Sequence, residues 1–147
     1  MLERRELLKA GIGVVALAST AAAADEVAHE HSAAGPSSAQ QALVSAIGGC
    51  LTQGNLCLQH CLVALGGGDT TLAECSKTVR DMLAVCSATQ TLVAGNSAHA
   101  KAAVQLCIDA CSDCEGACRK HAEHHAVRKA CADACTATIK AARAFLA

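Results

Sequence analysis

Aromatic residues are almost missing from this chain, which has one Phe, no Tyr and no Trp in 147 residues. There are thus no platforms on which bases could stack. Net charge is −1, and no basic block exists beyond the extreme N-terminus, so the sequence argues against nucleic-acid binding. Proline is equally scarce: Pro36 is the only one, and strong helix formers are abundant after it, which predicts an all-α domain. Bulky apolar side chains are also few. The 52% hydrophobic content is mostly Ala and Cys, so a core built from it is thin. Something besides carbon is expected to fill that volume.

Sulfur is the obvious filler. Eleven cysteines lie between Cys50 and Cys135, and their spacings are helical. Cys57 and Cys61, the run Cys107, Cys111, Cys114 and Cys118, and the pair Cys131 and Cys135 each set thiols one turn apart on one face. Positions that should carry Leu and Val in an ordinary bundle carry thiols instead.

Punctuation along the chain divides it into three parts. Residues 1–24 resemble a twin-arginine export signal. Arg4-Arg5-Glu6-Leu7-Leu8-Lys9 opens a charged segment, Ala10 to Ala18 is short and apolar, and Ala22-Ala23-Ala24 offers a cleavage site. An ordinary secretory signal or a membrane anchor is the alternative. The twin-arginine route carries folded proteins, and its expected destination is the periplasm or the lumen of internal membranes, with no membrane attachment after cleavage. Residues 25–36 are small and polar and read as a linker. Residues 37–147 carry the helical pattern.

Helix 1 is expected from Ser37 or Ser38, paired with Gln40 or Gln41 in a capping box, to about Leu65 before Gly66-Gly67-Gly68. Its seam is Leu43, Ile47, Cys50, Gly54, Cys57 and Cys61. Helix 2 is expected from Asp69-Thr70-Thr71, with Thr71 and Glu74 as a capping pair, to Gly95-Asn96. Its seam is Leu72, Cys75, Val79, Met82, Cys86 and Val93. Helix 3 starts near Ser97 with the seam Ala100, Val104, Cys107, Cys111, Cys114, Cys118, His121 and His125. The six-residue step from His125 to Cys131 breaks that phase, so a turn is expected near His124–Val127. Helix 4 then carries Cys131, Cys135, Thr138, Ala142 and Phe145 inward. The predicted fold is an up-down-up-down antiparallel four-helix bundle with a cysteine-lined interior.

Four thiols at successive seam positions of helix 3 are not an ordinary core. A disulfide framework is opposed by the odd count and by thiols sharing one face of their own helix. Iron–sulfur clusters draw cysteines from loops, and Cys111-Ser112-Asp113-Cys114 lies inside a helix without βαβ context. A soft-metal array remains. Zinc on many thiolates would leave several surplus charges buried, whereas a monovalent soft ion at about one per thiolate gives a neutral interior. Cu(I) is that ion, at on the order of ten per chain.

Through Cys57-Leu58-Gln59-His60-Cys61, the run from Cys107 to Cys118, and Cys131-Ala132-Asp133-Ala134-Cys135, residues 37–147 resemble the bacterial copper storage proteins. The resemblance implies a non-enzymatic four-helix bundle whose cysteines hold many Cu(I) ions, assembled as a homotetramer. The signal resembles that of the exported branch, which is linked to copper supply for methane oxidation. A recipient copper protein is implied, without being identified. Exported members place methionines at the bundle mouth, but this chain beyond its signal has only Met82, in mid-helix. Met82 reads either as core filler or as a thioether ligand. Bundle topology gathers His60, His121, His124 and His125 at one end, with Phe145 expected to plug the other. His60, His121 and His125 are candidate ligands there, against the alternative of solvated histidines suiting a helix C-terminus. The competing readings are a zinc-buffering thiolate protein and a disulfide-stapled interaction module.

Overall fold

The structure, a computed structural model, describes residues 35–147. The signal-like segment 1–24 and linker residues 25–34 lie outside the described residues. Among those described, the chain forms four helices: α1 Ser38–Gly66, α2 Ala73–Ala94, α3 Ala100–Arg119 and α4 Ala126–Leu146. A short 3-10 turn, Thr70–Leu72, leads into α2. Helix α1 packs on α2 and α4, and α3 packs on the same two, so the diagonal pairs stay apart across a central core. This is the expected four-helix bundle. None of the helices in the described residues is long and apolar enough to cross a membrane.

Local chemistry sets the ends. Ser37 caps α1, its hydroxyl accepting from Gln40 N at 3.1 Å. Gln40 does not reach back to complete the box. Its amide is buried and donates to Val93 O at 2.7 Å and Asn96 Oδ1 at 2.9 Å, tying the start of α1 to the end of α2. At the other end of α1 the chain reverses through Gly68 at φ +91°, a conformation that favours glycine. Asp69 rather than Thr71 caps the 3-10 turn. Its carboxylate accepts from Thr71 N at 3.0 Å and Thr71 Oγ1 at 2.6 Å. The expected Thr71–Glu74 pair does not form, because Thr71 is already engaged and Glu74 pairs with Lys120 Nζ at 2.9 Å.

Two further expectations are corrected. Helix α3 starts at Ala100, since Ser97 Oγ accepts from His99 N at 3.2 Å and holds residues 97–99 in a turn. The α3–α4 turn also comes earlier than expected, at 120–125. Arg119 binds Glu115 on its own helix at 3.1 Å and Asp133 on α4 at 2.9 Å, and this clip ends α3 where α4 must begin. His121 and His125 therefore do not extend the α3 seam.

Every predicted seam position of α1 and α2 is buried. On α1, Gly54 lets α2 come close: a Cβ there would lie 2.7 Å from Met82 Cε and 2.9 Å from Leu83 Cδ2. Leu43, Ile47, Val93, Val104 and Ala142 fill the end of the bundle opposite the histidines, each large aliphatic side chain contributing about 1.5–3 kcal/mol. Phe145, expected as the plug, is only half-buried against this layer.

Candidate metal centre

All eleven cysteines are free and buried, and they line one continuous interior column. At the aliphatic end, Cys86 stands 3.5 Å from Cys107 and 3.6 Å from Cys111, and Cys50 stands 3.8 Å from Cys135. At the other end Cys75 and Cys118 are 3.4 Å apart, with Cys57 at 4.0 Å from Cys75 and 3.8 Å from Cys118. Cys114, 3.9 Å from Cys131, joins the two groups. Covalent disulfides need about 2.05 Å, so these are contacts between separate thiols.

The spacing suits a metal. With metal–sulfur bonds of about 2.3 Å, three sulfurs in a plane around an ion lie about 4.0 Å apart and two in line about 4.6 Å. Five triads have all their sulfurs within 4.8 Å of one another. They are Cys50/Cys111/Cys135, Cys86/Cys107/Cys111, Cys114/Cys131/Cys135, Cys57/Cys118/Cys131 and Cys57/Cys61/Cys75. Neighbouring triads have Cys57, Cys111, Cys131 and Cys135 in common, so bridging sulfurs are built into the layout.

Electrostatics inside the column arise from thiol–thiol hydrogen bonds. The thiolate forms of Cys50, Cys75, Cys107 and Cys131 are favoured, chiefly by bonds from Cys111, Cys118, Cys111 and Cys114 respectively. Cys86, Cys118 and Cys135 are pushed up, chiefly by their bonds to Cys107, Cys114 and Cys111. Burial pushes Cys61 up to about 11.

Of the other candidate ligands, His60 and His125 meet, Nε2 to Nδ1 at 3.2 Å, with the rings 4.9 Å apart. Burial and the neighbouring His60 hold His125 below the usual histidine range, so it favours the neutral form a soft cation needs. His121 sits half-buried in the α3–α4 turn, outside that pair. Met82 lies in the aliphatic half of the column, its Sδ accepting from Cys50 Sγ at 3.4 Å. It is nowhere near the histidines.

A profile of the copper storage proteins, "Csp: Copper storage protein", matches residues 36–147. The chain belongs to the copper storage protein family. Solved structures with the same fold include the copper storage protein Ccsp from Streptomyces lividans loaded with 10 copper equivalents. It is 26% identical with a TM-score of 0.68, covering 74% of this chain and 83% of that one. A second, of a cytosolic copper storage protein from Streptomyces lividans with five coppers, is 26% identical with a TM-score of 0.66. It covers 74% of this chain and 92% of that one. Comparison with curated protein sequences gives no match. The clustered cysteines here suit several ions.

The one charged interior residue among those described escaped the sequence reading. Arg128, on the first turn of α4, is fully buried beside the thiols. Its spacing to Cys131 and Cys135, three and then four residues, already placed it on the inward face.

Proposed function

We propose that this protein stores copper as Cu(I), held by cysteine thiolates inside the bundle and released to a copper-dependent enzyme. The carrying observation is the set of five triads with common corners, all buried. Buried thiolates without a large supply of compensating charge favour a monovalent ion, and sulfur donors favour a soft one. Capacity is on the order of ten per chain. The ten copper equivalents held by the Streptomyces lividans relative are in keeping with that number.

The His60–His125 pair marks the end where copper passes in and out. Imidazole holds Cu(I) less firmly than thiolate, which suits transfer, and the opposite end is closed by Leu43, Ile47 and Val104. Export by the twin-arginine route to the periplasm, or to the lumen of internal membranes, rests on Arg4-Arg5 and the apolar stretch after them. Supply to methane monooxygenase rests on the same resemblance to the exported branch. Homotetramer assembly finds support in Leu56, Leu62 and Val63, which leave α1 with apolar side chains more than half exposed.

Anaerobic titration of the reduced protein with Cu(I) tests the storage reading. Tight uptake of about ten ions is expected. Saturation at one or two ions would leave a carrier instead.

A further inference from the structure

Among the described residues Arg128 is the only charged side chain in the interior, and it is fully buried. Its guanidinium makes one long contact, Nη2 to Ala117 O at 3.4 Å. Nε and Nη1 have no partner at all. A guanidinium cannot shed its proton to escape this situation. A buried cation with idle donors is costly, and a fold keeps it only where an anion will meet it. The neighbours are Cys61 and Cys75, whose ionised forms Arg128 favours, and Cys131 lies one turn along the same face of α4.

From this we infer that Arg128 is the built-in counter-ion of an anionic copper–thiolate cluster formed by Cys57, Cys61, Cys75, Cys118 and Cys131, which holds one thiolate more than copper. The inference rests on the storage reading above. Charge sets the composition. Each thiol gives its proton to solvent as copper binds, so five thiolates around about four Cu(I) carry a surplus of one negative charge. The guanidinium cancels it and gains acceptors for Nε and Nη1. A fifth Cu(I) would leave the cluster neutral and Arg128 unpaired. Over the whole column, eleven thiolates against one guanidinium place saturation at about ten ions rather than eleven. The aliphatic half has no such cation, so its clusters are neutral and depend on Arg128 little.

The test compares the parent with Arg128→Met, Arg128→Lys and the double variant Arg128→Met/Cys61→Ser. Each is loaded anaerobically and challenged with a chromophoric Cu(I) chelator. Loaded only to the parent's level of about ten ions, so that a fifth Cu(I) does not neutralise the cluster, R128M should release about four ions at chelator levels about tenfold or more below those the parent resists. R128K should behave as the parent. The double variant, with one thiolate fewer, should recover retention because its cluster is neutral again. Thermal melts of the copper-free proteins give the opposite sign: R128M should match or exceed the parent, since an unpaired buried cation has been removed. Identical release curves for parent and R128M would overturn the assignment. So would R128K failing like R128M, a double variant no better than R128M, or a copper-free R128M that melts lower or does not fold. A parent that takes up only one or two ions fails the storage reading itself and the assignment with it.

Discussion

Replacing Cys111 and Cys114 together by Ala probes whether the thiols act as one bridged array. Cys111 is a corner of two triads and Cys114 of a third, so the pair touches three of the five. Charge balance alone removes one Cu(I) per lost thiolate, and the loss of a common corner strips a bridge from ions on both sides of it. Saturation should fall by about two to three ions out of about ten. Each substitution also deletes one buried sulfur, similar to a methylene deletion at about 1 kcal/mol apiece. Two such losses should lower the melting temperature of the copper-free protein by about 6–12 °C for a domain of this size while leaving it helical. Both positions lie below the His60–His125 pair, so the initial uptake rate should hardly change. Stopped-flow uptake and equilibrium titration give rate and capacity on one sample. Undiminished capacity in the double variant would refute the bridged-array reasoning, because isolated sites elsewhere would then be holding the copper.

Replacing His60 and His125 with Ala should slow uptake and chelator-driven release, leaving capacity near the parent value; parent-like rates would show that the pair merely caps helix ends. Gly54→Ala should push the Met82 and Leu83 side chains aside, costing about 1–3 kcal/mol of overpacking less about 1 kcal/mol of helix propensity, read as a modestly lower melting temperature. Alkaline pH should weaken the reduced copper-free fold. Cys61 titrates at 9.0 when unfolded and about 11 when folded, so its contribution is complete below pH 9 and fades between pH 9 and 11. Cys86, Cys118 and Cys135, also raised, act with the same sign, so melting temperatures that climb over that window would contradict the burial argument.

The seams were legible because packing on a helix face is a matter of spacing. Leu43, Ile47, Cys50, Gly54, Cys57 and Cys61 keep one three-four alternation, and all are buried. Helix ends were harder to read, since caps compete for the same atoms. Thr71 goes to Asp69, and Gln40 to Val93, through contacts that only the folded bundle brings together. The α3–α4 turn was misplaced for a similar reason: Arg119 finds Asp133 fourteen residues on, and no local pattern announces it. Moving the turn back took His121 off the thiol seam of α3, and Arg128 was left out of the α4 seam because of its charge. A charged residue is by default assigned to solvent. The clue to the contrary was its step of three to Cys131. Met82 was correctly set between Cys75 and Cys86, yet the Gly54 hollow that receives it becomes visible only when α1 and α2 are laid together.

Anomalous diffraction at the copper edge, on crystals of the fully loaded protein, bears most directly on the claim that copper is stored in the thiol column. The account predicts about ten copper peaks along the bundle axis, each within bonding distance of two or three cysteine sulfurs. Copper confined to surface histidines and carboxylates, with the interior thiols bare, would contradict it.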